Sequence, residues 1–322
     1  MSNVLFLTWI QHRRTRHLCE RLDIPLVELV SKRRGIFRYI ELTIRTLQSL
    51  KTRRPRVLIV QSPSVVLSLL CLLLRSAFRY RLIIDAHNEA VEPYLHSSIL
   101  MRFITRLILN KSDTVIVTNK QLANRVAQQG GHPIILPDGI PTPPPVTKIK
   151  LNGRFNIVLI STFAGDEPFN IVVDAMHLAE PEIQLYVTGN PEKLTEKIRN
   201  SLPENITLTG FLSENNYWSI LASANAIMDL TTMDNCLVCG AYEAIALEQP
   251  LLLSKNAASM ELFSDFAVFT TNTTQGLISA INQLRLRHQD IRTAFPIARQ
   301  LFEKKWNAHA EELLRLTRPS DF

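Results

Sequence analysis

Short apolar runs alternate along the chain with stretches of helical periodicity. Residues 4–8 (VLFLT), 56–60 (RVLIV), 81–86 (RLIIDA) and 114–118 (TVIVT) are rich in β-branched residues and almost free of interior polar positions. That pattern predicts strands buried on both faces. Helical spacing occupies 14–22, 35–50, 65–78, 96–110 and 119–129, and PIILP (133–137) reads as a short closing strand. The segment DGIPTPPPV (138–146) carries four prolines between Pro141 and Pro145. It cannot be helix or central strand and suits a stiff linker. Beyond it the theme returns. Strands are predicted at 156–161, 183–189, 206–211, 226–231, 251–254 and 267–270. Helices are predicted at 169–178, 193–202, 215–224, 240–248, 275–286 and 296–316. The chain thus reads as α/β, with two Rossmann-like, doubly wound parallel-sheet domains facing a cleft at their strands' C-terminal edges.

A length of 322 residues exceeds one ordinary core and agrees with two domains. Charge separates the halves. Residues 1–150 hold 23 Lys+Arg against 9 Asp+Glu (+14), and 151–322 hold 13 against 20 (−7). A basic first half suits an anionic membrane surface, a phosphorylated acceptor or nucleic acid. Nucleic acid ranks last, because no aromatics interleave the basic clusters. Residues 57–74 (VLIVQSPSVVLSLLCLLL) are long enough to span a bilayer, but Gln61–Ser64 interrupt them, so a strand, a turn and a helix are expected. The N-terminus lacks a secretory leader's pattern, which points to a cytoplasmic protein, peripheral on the inner face of the cell membrane at most. The four cysteines predict no disulfide. Cys236 and Cys239 are spaced C-x-x-C without a second pair and read as small buried side chains lining a loop. No D-x-D occurs, so no metal is expected, and no G-x-G-x-x-G follows a strand, which disfavours a dinucleotide oxidoreductase.

The most informative segment is DNCLVCGAYEAIALEQP (234–250). It reads as a Gly-containing loop running into a short helix that opens on Glu243, followed by the buried strand LLLS. Free amides at a helix start suit a phosphate, and a carboxylate one turn on suits sugar hydroxyls. For Glu243 alone, the plain alternative is a solvated carboxylate at a helix start. His87, in DAHNE (85–89) at a strand end, either meets a sugar or a proton in transfer, or caps the next segment. Asp85 either orients it or caps a turn. The basic run at 12–16 either holds an acceptor phosphate or opens a surface helix.

Several segments together resemble the GT-B glycosyltransferases of family 4. ILPDGI (135–140) is similar to the signature closing the family's first domain, and YWSILASANAIMDL (217–230) to a helix–strand segment of its second. Residues 235–243 lie where the family has E-x7-E, and EAIAL with Pro250 matches the stretch after it. Trp306 resembles the tryptophan of a last helix that crosses back onto the first domain. The resemblance implies an acceptor-side domain at 1–145, a nucleotide-sugar domain at 146–300 and a crossing helix at 301–322. It implies a transferase moving a sugar from a nucleotide-sugar to a lipid-linked or polysaccharide acceptor in surface glycan synthesis, with retention and without a cofactor. Glu243 would bind ribose hydroxyls, while Cys239, Gly240, Ala241 and Tyr242 would line the diphosphate. Thr162, Gly189, Asn190, Phe211 and Leu212 would flank the donor, with Lys255 as a replacement cation; Gly189 reads equally as an ordinary strand-to-helix turn. His87 and Asn235 would stand at the reacting centre, and His12, Arg13, Arg14 and Asn88 on the acceptor side. Two departures stand out. Asn235 replaces the first glutamate, and residues 162–168 (TFAGDEP) lack the family's basic pair while carrying two acids that would repel a diphosphate unless they meet the sugar or sit at a helix start. These departures motivate the alternative of a catalytically degenerate binding or scaffold protein.

Overall fold

The structure is a computed structural model describing residues 3–62, 64–86, 88–91 and 98–318. The chain divides into two compact units, Met1–Gly139 with Lys304–Phe322, and Ile140–Glu303.

In the first unit the elements run β1 (Val4–Thr8), α1 (Arg13–Leu22), β2 (Leu26–Glu28), α2 (Gly35–Arg53), β3 (Val57–Ser62), α3 (Val65–Phe78), β4 (Arg81–Ala86), α4 (Asn88–Val91), α5 (Ile99–Lys111), β5 (Thr114–Val117), α6 (Lys120–Gln128) and β6 (Pro133–Ile135). All strand pairings are parallel, in the order β2-β1-β3-β4-β5-β6. Parallel order demands crossover helices on the sheet's faces. The central strands are accordingly buried along their length, and residues such as Leu58, Val60, Leu82 and Ile84 form the core. The run at 57–74 resolves into β3 and α3. Among the described residues, no helix is long and apolar enough to cross a membrane.

The second unit runs β7 (Phe155–Leu159), α7 (Phe169–Leu178), β8 (Ile183–Thr188), a 3-10 turn (Pro191–Lys193), α8 (Glu196–Asn200), β9 (Ile206–Gly210), α9 (Glu214–Ser223), β10 (Ala226–Asp229), α10 (Cys239–Ala246), β11 (Leu251–Ser254), α11 (Ala257–Phe263), β12 (Ala267–Thr270) and α12 (Thr274–Thr317). Its parallel strands lie in the order β12-β11-β10-β7-β8-β9. Consecutive strands depart to opposite sides of β7, so the chain's direction of winding reverses between β7 and β10. Ligands of open α/β sheets bind at the C-terminal edge beside such a switch point.

One expectation is corrected here. The two helices read at 275–286 and 296–316 are a single helix, α12, with Pro296 inside it. Proline removes one helical hydrogen bond, but burial on either side outweighs that loss. Phe295 packs 5.0 Å from Phe266, and Phe302 sits in the same aromatic cluster beside Tyr242 and Phe263. From Lys304 onward α12 belongs to the first unit. There the Trp306 indole donates to the Pro137 carbonyl at 2.9 Å, and the Arg21 guanidinium lies 3.7 Å above its ring.

Candidate donor site at the second unit's switch point

The loop after β7 is closed by its own acid. Glu167 accepts hydrogen bonds from the Thr162 and Phe163 amides at 2.8–3.0 Å, and from the Ser161 and Thr162 hydroxyls at 2.5 and 2.7 Å. The Glu167 carboxyl is thus engaged inside the loop. Asp166 reaches across the switch point, accepting from the Thr231 hydroxyl at 2.8 Å, while its carbonyl takes the Thr232 amide at 2.7 Å. Thr162, read as a donor contact, has its amide and hydroxyl on Glu167, and its carbonyl accepts from Lys193 Nζ at 2.7 Å. Lys193 was missed in the sequence because it lies in an exposed turn with no motif around it.

Gly189 follows β8 with φ +103°, and a Cβ added there would lie 2.3 Å from the Ser161 carbonyl oxygen. Glycine is thus required by both conformation and space. Gly189→Ala is expected to cost about 2–4 kcal/mol through backbone strain and overpacking, measurable as a lowered denaturant midpoint. Asn190 follows as the cap of the 3-10 turn, its side chain accepting from the Glu192 amide. Phe211 is exposed beyond β9 and Leu212 is half-buried.

The helix carrying Glu243 starts earlier than expected, at Cys239. Glu243 therefore sits in the second turn, only 7% exposed, where the Tyr217 hydroxyl from α9 donates to its Oε2. Gly240, Ala241 and Tyr242, read as lining the diphosphate with backbone groups, have the following partners. The Gly240 amide donates to Asp229 Oδ2 at 2.9 Å, the Ala241 amide to the Val238 carbonyl, and the Tyr242 ring packs edge-on against Phe263. A side chain at Gly240 would collide with Asp229 and Ile160, so the glycine serves close packing of helix on strand. Cys239 is exposed and Cys236 half-buried, not the buried pair expected. Asn235 occupies a turn with φ +59°. Lys255 is exposed just after β11 on the same sheet edge.

Asp229, at the end of β10, is the residue that sequence reasoning missed most plainly. Burial pushes its carboxyl well above the usual carboxylate range, and Glu243, Glu167 and Asp166 push the same way against the Gly240 amide. The switch point therefore gathers four acids, one of them held toward its neutral form. Among the described residues no group of three or more His, Cys, Asp or Glu is placed to hold a metal.

In the first unit, Arg14 is corrected from an acceptor contact to an interior ion pair. Its Nη2 lies 3.1 Å from Asp85 Oδ1 and its Nη1 2.7 Å from Asp138 Oδ1, with little exposure on Arg14 and none on Asp85. Asp85 is thus engaged by α1. His12 precedes α1, and burial followed by the Arg14 charge lowers its pKa. Arg13 is exposed and Asn88 opens α4. His87 lies outside the described residues.

Two doubly wound six-stranded sheets of this kind are the GT-B fold of glycosyltransferases. Residues 3–136 match the glycosyl transferase 4-like domain family. A comparison with curated proteins finds no match. Among solved structures, the chain is similar to sucrose-phosphate synthase (tll1590) from Thermosynechococcus elongatus, with a TM-score of 0.74 at 15% identity, covering 97% of this chain and 98% of that one. It is similar to Anabaena Alr3699/HepE in complex with UDP, with a TM-score of 0.73 at 14% identity, covering 98% and 99%. The lipopolysaccharide outer core galactosyltransferase WaaB gives 0.64 at 12% identity, covering 95% and 98%. At these identities the likeness is one of fold, and it spans nearly the whole of each chain.

Proposed function

We propose that this protein is a glycosyltransferase that moves a sugar from a nucleotide-sugar to a lipid-linked or polysaccharide acceptor in surface glycan synthesis. The observation that carries the reading is the placement of Glu243. It is a buried carboxylate one turn inside a helix at the switch point of a sheet, held by a phenol, in the segment whose sequence resembles the family's donor-binding stretch. HepE, similar over almost the full length, has been solved with UDP and with UDP-glucose, which favours a uridine-type donor on the second unit. Glu243 would accept from ribose hydroxyls, and Gly189, Asn190, Phe211 and Leu212 would flank the base. Lys255 and Lys193 are the cations for the diphosphate, in place of the occupied Gly240 and Ala241 amides. Catalysis would rest on stabilising the departing nucleoside diphosphate without a metal and with retention. The acceptor would meet the basic first unit through His12, Arg13 and Asn88, at the cytoplasmic face of a membrane.

A second reading, a binding or scaffold protein on a degenerate transferase fold, draws on Asn235 and on Glu167. The latter puts a fixed carboxylate on amides at the switch point. A thermal-shift screen of nucleoside diphosphates separates the two. A ligand at 100 times its Kd should stabilise the chain by about 2.7 kcal/mol, several degrees in melting temperature. No shift with any nucleotide selects the scaffold.

A further inference from the structure

In the first unit, α3 packs between α2 and α5. Each of these helices follows a parallel strand and runs back against it. Their N-termini therefore emerge at one edge of the sheet. That edge is apolar where solvent would ordinarily select polar residues. On α2, Leu42, Thr46 and Leu50 are buried toward the sheet. Yet Ile36, Ile40 and Ile44, which recur every fourth residue on another face, are 66%, 48% and 50% exposed, with Phe37 beside them at 63%. On α5, Ile99 and Phe103 repeat the pattern at 86% and 64%. A helix apolar on a face its own domain leaves exposed is normally covered by something else.

The surrounding charge selects what covers it. Lys32, Arg33 and Arg34 lead into α2, Arg38 lies on it, and exposed Arg102 and Arg106 lie on α5. Glu41 is the sole acid of α2 and is shared by Arg33 and Arg45 at 3.3 Å each, while α5 has none. The helix N-termini add positive dipole ends. A second copy of the chain would bring two such basic rims together, which repel. An anionic lipid surface takes both components, with apolar side chains at the headgroup–acyl boundary and guanidinium groups among the phosphates.

We propose that this edge of the first unit, led by the opening turns of α2 and α5, docks on anionic lipid bilayers. The inference deepens the membrane-proximal part of the proposed function and is independent of the donor chemistry. The test is co-sedimentation of the full chain with phosphatidylcholine vesicles, with and without phosphatidylglycerol. Binding is expected only with the anionic lipid and should fall with added salt. The pair Ile36→Asp with Phe37→Asp, and separately Arg34→Glu with Arg38→Glu, should each weaken it about ten-fold or more. These positions are exposed or half-exposed, so circular dichroism and the melting temperature should stay unchanged. Equal sedimentation with neutral vesicles, no sedimentation, or undiminished binding by both pairs would overturn the proposal. So would a dimer in light scattering that the Asp pair dissociates. Nucleotide thermal shifts on the same proteins separate the readings: loss of vesicle binding with nucleotide shifts intact strikes the docking face alone, and the reverse strikes only the transferase.

Discussion

Arg14→Met is expected to destabilise the first unit by about 3–5 kcal/mol, the cost of stranding a buried charge. The Arg14 guanidinium spans two carboxylates, Asp85 in the interior of β4 and Asp138 just past β6, and its Nη2 also lies 3.4 Å from the Leu136 carbonyl. Methionine has much of arginine's length but no charge, so packing is largely kept while the buried Asp85 loses the guanidinium beside it. The companion variant Arg14→Met with Asp85→Asn should recover a large part of the loss, because an amide is far cheaper to bury than a carboxylate. Urea unfolding of both variants, followed by a probe in the first unit such as Trp9 fluorescence, reads the difference. Two units in one chain need not unfold together, so each transition should be fitted separately. A cost below about 1 kcal/mol for the single variant would put Arg14 in the class of surface ion pairs, and the acceptor role would be open again.

The strands were the most legible part of the chain. Residues 4–8, 81–86, 251–254 and 267–270 form strands with the bounds read from the sequence, because a strand covered on both faces writes itself as an unbroken apolar run. β2 escaped that rule. It is three residues long, half-buried and at a sheet edge, so it carries no such run. α11 is a seven-residue helix, too short for its periodicity to stand out. In the site, Glu243 was found by its place in a motif, but its partner was not. Tyr217 lies 26 residues earlier on a separate helix, and Arg14 lies 71 residues from Asp85, distances that only strand order brings together. Glu167 failed differently. It is local to the amides it binds, but sequence gives its charge and not the turn, with Phe163 at φ +54°, that aims those amides at it. Asp229 looked like any acid at a strand end, and the surroundings that raise its pKa belong to the assembled sheet.

Glu243→Gln is expected to leave the fold intact and to weaken nucleotide-sugar binding about 10- to 150-fold, the equivalent of a charge-assisted hydrogen bond worth about 1.5–3 kcal/mol. Glutamine keeps the shape and can still accept from Tyr217, so the α9–α10 contact persists. What it loses is the negative charge that would draw two vicinal hydroxyls. Tyr217→Phe tests the other half of the pair. The phenol donates to Glu243 Oε2, which fixes the carboxylate's rotamer. Its loss should cost binding only about 3- to 10-fold, as expected for a residue acting through another. The double variant should then be no worse than Glu243→Gln alone, since both act on one donor contact. Calorimetric titration with UDP-sugars on the four proteins closes the cycle. Additive losses would mean that Tyr217 touches the ligand itself. Unchanged affinity in Glu243→Gln would mean that the carboxylate only ties α9 to α10, and that the donor, if one binds, is held elsewhere on the sheet edge.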